Sequence, residues 1–256
     1  MKVLKFLVLA TVLVALSSVT TRAQSCVGNC GTDTPNGVVT SPPIGGPNYS
    51  YVSTNGGTSH GGFLPSGLTT PTNATNGSTA TTATFTANAG ALLQFDFNFI
   101  TSDGSGFPDF GWAALETTGG APVALIFSAQ TTPTGNTVPG TGLPPLAPGV
   151  TLIPASSAII PGGPAWDQLG SWSGKCFDVG CGYTGWIQED YTIPTAGTYE
   201  LAFGVSNAND TIFDTGLAYS GVEVNGKPVG TPEPSTLLML GSALFGLASL
   251  SRKFLS

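Results

Sequence analysis

Large apolar side chains recur at every second position in two distant segments, and this pattern limits the possible folds more than any other feature of the sequence. Within residues 92–100, one leucine and three phenylalanines occupy every second position, and residues 199–205 repeat the pattern with Tyr, Leu, Phe and Val. A period of two is that of a β-strand with one buried face, and an α-helix cannot present it. Both segments therefore predict strands that face a common aromatic core.

Other segments add strands of the same kind. Charged residues make up only 8% of the chain, whereas 36 Gly and 20 Pro among 256 residues supply many turns. This composition is typical of extracellular β-sheet proteins. Asn88-Ala89-Gly90 predicts a hairpin turn. Further strands are predicted at 49–52, 79–87, 111–116, 122–129, 185–193 and 217–225.

The N-terminus predicts a secretory signal peptide over residues 1–23. Lys2 and Lys5 precede an apolar run of 11 residues that ends at Leu16, and Ala23 offers a small residue for cleavage. The run forms about 16 Å of helix, too short for a bilayer core of roughly 30 Å. A lipoprotein with its lipid on Cys26 is the alternative, although the three residues before Cys26 lack an aliphatic side chain.

The C-terminus, residues 231–256, combines three parts. Pro232-Glu233-Pro234 is followed by an apolar stretch over 237–250 and then by Arg252-Lys253. The combination resembles the PEP-CTERM tail of Gram-negative bacteria that make extracellular polysaccharide. That resemblance implies sorting by exosortase, a membrane protease thought to remove the tail. The stretch 237–250 forms about 21 Å of helix, so an uncleaved membrane anchor is the alternative.

The same tail is also named an ice-binding protein C-terminal domain. Ice binding requires a flat, regular array of threonines, and Thr82, Thr84 and Thr86 predict one short ladder on an ordinary strand.

The part between the two ends carries a strongly negative charge. Residues 24–230 contain 13 acidic side chains and only Lys175 and Lys227, which gives a formal net charge of −11. Nucleic-acid binding needs clustered Lys and Arg to neutralise phosphates, so this class of partner is excluded.

The four cysteines form two close pairs, Cys26 with Cys30 and Cys176 with Cys181. Export to an oxidising compartment favours disulfides. Three connectivities are open, of which local pairing is the simplest. A zinc site made of all four cysteines is the alternative.

The sequence offers few combinations of residues that could carry out catalysis. A Ser-His-Asp triad needs a histidine as base, and His60, the single histidine, lies in a Gly-rich turn. Glycoside hydrolysis needs two carboxyl groups across a cleft. The candidates are Glu116, Glu189, Asp190 and Glu200, most of which the pattern assigns to solvent faces or strand ends.

Two groups of residues predict binding instead. Asp103 with Asp109, and Asp210 with Asp214, lie in turns rich in the oxygen ligands of Ca²⁺, so a structural Ca²⁺ is a hypothesis although no cofactor is required. Aromatic side chains flank the second cysteine pair and predict a sugar-binding surface, the alternative being core packing; the candidates are Trp166, Trp172 and Tyr183.

We therefore predict an all-β chain: a linker or arm over 24–48, and one antiparallel β-sandwich over 49–229 with a Pro-rich loop at 130–165. A signal helix and a hydrophobic C-terminal helix flank it. Residues 186–191 and 197–201 resemble late strands of jelly-roll sandwiches in bacterial surface proteins. The expected role is that of a non-catalytic structural or polysaccharide-associated protein of the cell envelope, surface or matrix. Its expected partners are the export machinery, signal peptidase, an exosortase-like protease and exopolysaccharide. The alternative is a secreted carbohydrate-active enzyme.

Overall fold

The structure is a computed structural model that describes residues 25–229. The predicted signal peptide at 1–23 and the predicted tail at 231–256, with its hydrophobic helix, lie outside the described residues. Within the described residues, no helix is both long and apolar enough to cross a membrane.

Two antiparallel β-sheets form the body, which confirms the all-β prediction. Sheet A contains, in spatial order, β1 (Ser25–Val27), β5 (Ala74–Thr81), β14 (Gly197–Ala208), β8 (Phe110–Thr117) and β9 (Pro122–Gln130), with β4 (Thr58–Ser59) beside β5 and β6 (Phe85–Ala87) beside β14. Sheet B contains β10 (Val150–Ile153), β13 (Ile187–Thr192), β7 (Leu92–Thr101), β15 (Thr215–Val224), β3 (Tyr49–Ser53) and β2 (Asn29–Asp33), with β12 (Gly182–Tyr183) beside β7, β11 (Ile160–Pro161) beside β12 and β16 (Lys227–Pro228) beside β15.

The predicted aromatic face of β7 forms the centre of the core. Phe97 packs on Phe127 of sheet A with ring centroids 3.8 Å apart, and Phe95 meets Phe203 edge to face at 5.3 Å. Phe203 also stacks on Tyr219 at 3.7 Å. These rings interdigitate between the sheets. The apolar side chains of the alternating pattern therefore form the layer that joins sheet A to sheet B.

The opposite face of β7 is buried as well, which differs from the predicted half-buried strand. Asp96 and Asn98 are almost fully buried because residues 36–44 and a short 3₁₀-helix, Asp167–Trp172, cover this side of sheet B. The Ile44 N–H donates a hydrogen bond to Asp96 Oδ2 over 2.9 Å. A partner from a distant segment therefore makes the burial of Asp96 possible.

The segment predicted as a linker, 24–48, contributes strands instead. β1 pairs with β5 in sheet A, and β2 pairs with β3 in sheet B. The chain crosses between the sheets at Gly28, whose φ of +86° favours glycine. The Cys26–Cys30 disulfide spans this corner. Backbone pairing and the disulfide thus fix a segment that has few apolar residues to bury.

Two local predictions are wrong. Asn88-Ala89-Gly90 does not form a hairpin, because β6 pairs with β14 in sheet A whereas β7 belongs to sheet B. The threonine ladder is also absent from the described residues, because the chain leaves sheet A at residues 82–84 between β5 and β6. A turn sequence sets the local backbone and does not determine which sheet the chain enters next.

Glu189, one of the candidate catalytic carboxyls, occupies a core position. Its side chain is fully buried on β13, between Ile187 and Tyr191, and neither carboxyl oxygen has a hydrogen-bond partner. Burial, and to a lesser extent the charge of Asp190, raises the pKa of Glu189 well above its ordinary value. Folding therefore favours the neutral form of this carboxyl.

We predict that Glu189→Gln stabilises the protein at pH 8 and has little effect at pH 4. A carboxyl whose pKa is raised by folding binds more protons in the folded state, so its penalty is absent below the unfolded pKa of about 4.3 and grows as the pH rises. The gain at pH 8 is expected to be on the order of 1–3 kcal/mol. Urea unfolding at both pH values measures it. Glu223→Gln, at a partly exposed site, should change stability by about 0.5 kcal/mol or less; an equal gain in both variants would contradict the account.

Candidate functional site

Three loops meet at one end of the sandwich, where β7 ends and β8 and β15 begin. They are residues 102–109, 172–181 and 209–214, and we call their meeting point the loop junction. The N–H of Phe177 donates to the Ser102 carbonyl over 3.0 Å, and the Ser105 N–H donates to the Val179 carbonyl over 2.8 Å. Asn209 Nδ2 donates to the Gly106 carbonyl over 3.0 Å. The three loops therefore form one hydrogen-bonded unit.

An aromatic cluster lies on the outside of the loop junction. It consists of Phe107, Trp172, Phe177 and Phe213. Trp172 and Phe213 have ring centroids 4.1 Å apart, Phe177 and Phe213 5.0 Å, and Phe107 and Phe177 5.4 Å. Phe177 is 51% exposed, in a loop that the Cys176–Cys181 disulfide closes. Val179 and Ile212, in two of the same loops, are also exposed apolar residues.

Phe213 has a strained backbone conformation. Its φ is +57°, in the left-handed region that costs a side-chain-bearing residue roughly 1–2 kcal/mol. The residues on both sides hold it there: the Ile212 N–H donates to Asp210 Oδ1 over 3.1 Å, and the Ser102 hydroxyl donates to the Asp214 carbonyl over 2.9 Å. Such strain is often found at ligand-binding positions. Here it places the Phe213 ring between Trp172 and Phe177.

The three predicted sugar-binding residues fall in different places. Trp172 belongs to the aromatic cluster. Trp166 is only 1% exposed, and its Nε1–H donates to the Tyr49 hydroxyl over 2.8 Å, so it is a core residue and cannot contact a ligand at the surface. Tyr183 is half-buried against the same outer layer of sheet B. Phe107, Phe177 and Phe213 were missed because each is a single aromatic residue in a turn.

The four predicted metal-binding aspartates come together at the loop junction. Asp109 Oδ1 accepts the Ala208 N–H over 2.8 Å, and Asp109 Oδ2 accepts the Thr215 hydroxyl over 2.5 Å. Asp214 Oδ1 accepts the Thr54 hydroxyl over 2.9 Å. These bonds bring together two turns that lie about 100 residues apart in the sequence.

Burial dominates the electrostatics of these aspartates. It raises the pKa of Asp103 to about 7 and that of Asp214 to about 6, with smaller upward contributions from the charge of Asp210. The fully buried Asp109 has its pKa raised well above the ordinary range by desolvation, and the charges of Asp103 and Asp210 add to this. In residues 25–229, no three His, Cys, Asp or Glu side chains stand close enough together to hold a metal ion by themselves.

The four candidate catalytic carboxyls do not form one group. Glu189 lies in the core, whereas Glu116 and Glu200 are cross-strand neighbours on β8 and β14. Burial, with the charge of Glu200, raises the pKa of Glu116 to about 7. Asp190 Oδ1 accepts hydrogen bonds from Gln94 and Gln188, each over 2.8 Å.

An open cleft of about 720 Å³ lies away from the loop junction, between the strand ends near Asn48, Thr82 and Glu223. Glu223 is the single carboxylate in its lining. A glycoside hydrolase needs a pair of carboxyl groups, and this cleft supplies one.

Residues 231–253 match the PEP-CTERM protein-sorting motif. The chain carries a PEP-CTERM sorting motif. This confirms the resemblance that Pro232, Glu233, Pro234, Arg252 and Lys253 indicated. The motif marks an exported surface protein that exosortase, a membrane protease, sorts and processes, with membrane-associated anchoring through the C-terminal tail.

The body of this PEP-CTERM protein is only distantly similar to solved structures. No curated protein matches it in sequence. The arabinose-bound α-L-arabinofuranosidase MgGH51 is similar with a TM-score of 0.31 and 10% identity over 81% of this chain, which spans 24% of that structure. A family 11 carbohydrate-binding module from Clostridium thermocellum in complex with a β-1,3-1,4-mixed-linked tetrasaccharide has a TM-score of 0.18 and 13% identity, covering 74% of this chain and 91% of the module. The family 11 module of the C. thermocellum cellulosomal cellulase Lic26A-Cel5E also scores 0.18, with 11% identity over 75% of this chain and 91% of the module. TM-scores this low support no inference about fold or function.

We predict that removing the second disulfide loosens the loop junction locally. In a variant with Cys176→Ser and Cys181→Ser, hydrogen exchange at the Phe177 and Ser105 amides should accelerate at least about tenfold, because local opening costs less. The loss of global stability should stay below about 3 kcal/mol, since the closed loop is short. Hydrogen exchange followed by NMR measures the effect.

The matched control removes the first disulfide through Cys26→Ser and Cys30→Ser. That pair lies at the corner between β1 and β2, so the amides of the loop junction should keep their exchange rates. Equal acceleration in both variants would show that the disulfide at 176–181 has no local role.

Proposed function

We propose that this protein is a non-catalytic component of the cell surface or extracellular matrix, which contacts neutral polysaccharide through the aromatic cluster of the loop junction. The observation that carries the proposal is the exposed Phe177 ring, held in a disulfide-closed loop and backed by Phe107 and Phe213. Rigid aromatic rings offer flat apolar faces on which the C–H faces of sugar rings stack, at little cost in side-chain entropy.

The net charge of the body favours a neutral polysaccharide over an anionic one. With a formal charge of −11 over residues 24–230, the body repels an anionic polysaccharide at low ionic strength. Lys175, whose Nζ lies 4.9 Å from the centre of the Trp172 ring, is the single basic residue in the loops of the junction. A neutral polymer is therefore the better ligand.

Sorting supports the same proposal. The PEP-CTERM motif at 231–253 sends the protein towards exosortase at the membrane. Release of the body from its tail would place the aromatic cluster among the secreted polysaccharides. Retention of the tail would instead display the cluster from a membrane anchor, and the same surface would then link polymer to the cell envelope.

The alternative, a secreted carbohydrate-active enzyme, has weaker support. Of its four candidate carboxyls, Glu189 is in the core and Asp190 is held by two glutamine side chains. Glu116 and Glu200 are directly opposite on adjacent strands, and the open cleft has one carboxylate. We favour binding without catalysis.

We predict that Phe177→Ala lowers the affinity for neutral polysaccharide by about tenfold, because loss of one stacked ring removes on the order of 1–2 kcal/mol. Affinity electrophoresis of the full chain in the native host's exopolysaccharide, before and after removal of its charged groups, gives the measurement. Phe63→Ala is the matched control, since Phe63 is a half-buried aromatic residue that meets the His60 ring edge to face, outside the cluster.

The proposal requires that Phe63→Ala migrate like the wild-type protein and that Phe177→Ala be retarded less. If the wild-type protein is not retarded by any neutral fraction, or if both variants lose affinity equally, the aromatic cluster is not the binding surface.

A further inference from the structure

Two buried oxygen atoms at the loop junction lack hydrogen-bond donors. They are Asp103 Oδ2 and Asn207 Oδ1, and both residues are fully buried. A buried acceptor without a donor is uncommon in a native protein, because it loses its bonds to water without replacement. The two atoms therefore call for a positively charged or donating partner.

These two acceptors belong to the group of aspartates at the loop junction. Asp103 interacts electrostatically with Asp210 and Asp109. The Asn207 side chain hydrogen-bonds to the Asp214 carboxylate and, through Nδ2, to Asn76 Oδ1 over 3.2 Å. The amide nitrogen of Asn207 is therefore occupied, whereas its carbonyl oxygen is left without a donor.

Nothing among the described residues neutralises this negative charge. Residues 25–229 contain two basic side chains, and of these Lys175 lies over the Trp172 ring while Lys227 belongs to the distant β16. Several carboxylates brought together without a cation repel one another, and burial strengthens that repulsion. A cation from solution would neutralise this charge and give the two unpartnered oxygens a ligand.

The chemistry of the available atoms points to a hard cation. Ca²⁺ takes six to eight oxygen ligands, from carboxylates, amide and backbone carbonyls and water. Neutral oxygens can complete such a coordination shell, so a Ca²⁺ site does not require three carboxylates. The site is therefore compatible with the absence of a cluster of three His, Cys, Asp or Glu side chains in residues 25–229. Asp210 is half-buried, which leaves a route for water and an ion.

We propose that the loop junction binds a divalent cation of the size of Ca²⁺, with Asp103 Oδ2, Asn207 Oδ1 and the Asp210 carboxylate as protein ligands. Asp109 and Asp214 are positioning residues, because donors on β14, β15 and the β3–β4 turn already occupy their oxygens. The cation joins loop 102–109 to loop 209–214 beneath the aromatic cluster. This inference stands independently of polysaccharide binding.

Thermal unfolding of the full chain, after removal of metals by chelation, tests the proposal at pH 7.5. At a Ca²⁺ concentration 100 times the Kd, the melting temperature of the wild-type protein should rise by about 5–10 °C. Asp103→Asn should abolish the rise. Asp96→Asn should retain it, since Asp96 is an equally buried aspartate that hydrogen-bonds to Ile44 on the outer side of sheet B.

A second readout does not depend on the stability of the Asp103 variant. Tb³⁺ bound at the loop junction should luminesce on excitation of tryptophan, and Ca²⁺ should displace it. Asp210→Asn, at a half-buried site that tolerates substitution, should weaken Tb³⁺ binding at least about tenfold. The proposal is overturned if Ca²⁺ does not raise the melting temperature of the wild-type protein and Tb³⁺ does not bind to it. It is also overturned if Asp103→Asn or Asp210→Asn binds these ions as tightly as the wild type. Either failure leaves the electrophoresis result for Phe177 unaffected.

Discussion

The loop junction depends on the two hydrogen bonds that the Asp109 side chain accepts. Its two oxygens accept hydrogen bonds from the Ala208 N–H at the end of β14 and from the Thr215 hydroxyl at the start of β15. One buried side chain thus connects both ends of the 209–214 loop to the turn that precedes β8. The loop that carries Phe213 cannot move without breaking one of these bonds.

The aromatic cluster takes its geometry from this polar layer. Phe213 keeps its strained backbone because its neighbours Ile212 and Asp214 are both hydrogen-bonded, and Phe177 is tied to Ser102. Hydrogen bonds of the neighbouring backbone therefore fix the rings of the aromatic cluster, whereas the phenylalanines of the main core are held by packing between the two sheets. A surface that is rigid before it binds loses little entropy on binding.

The sequence predicted the features that depend on local pattern. The alternation over 92–100 identified the core face of β7, and local pairing, the simplest of the three open cysteine connectivities, is the one that the structure shows. It could not predict the outer layers that bury Trp166 and Asp96, because residues far along the chain form them. For the same reason it treated the pairs Asp103–Asp109 and Asp210–Asp214 as separate turns, although folding brings them together.

Polysaccharide contact at the loop junction is the proposal on which the function of this PEP-CTERM protein rests. Hydrogen–deuterium exchange of the full chain, with and without the neutral exopolysaccharide fraction, tests it most directly, because it locates contact without prior choice of a residue. We expect the polysaccharide to slow amide exchange only in residues 102–109, 172–181 and 209–214. Protection centred instead on the cleft near Asn48 and Glu223, or no protection at all, would contradict it.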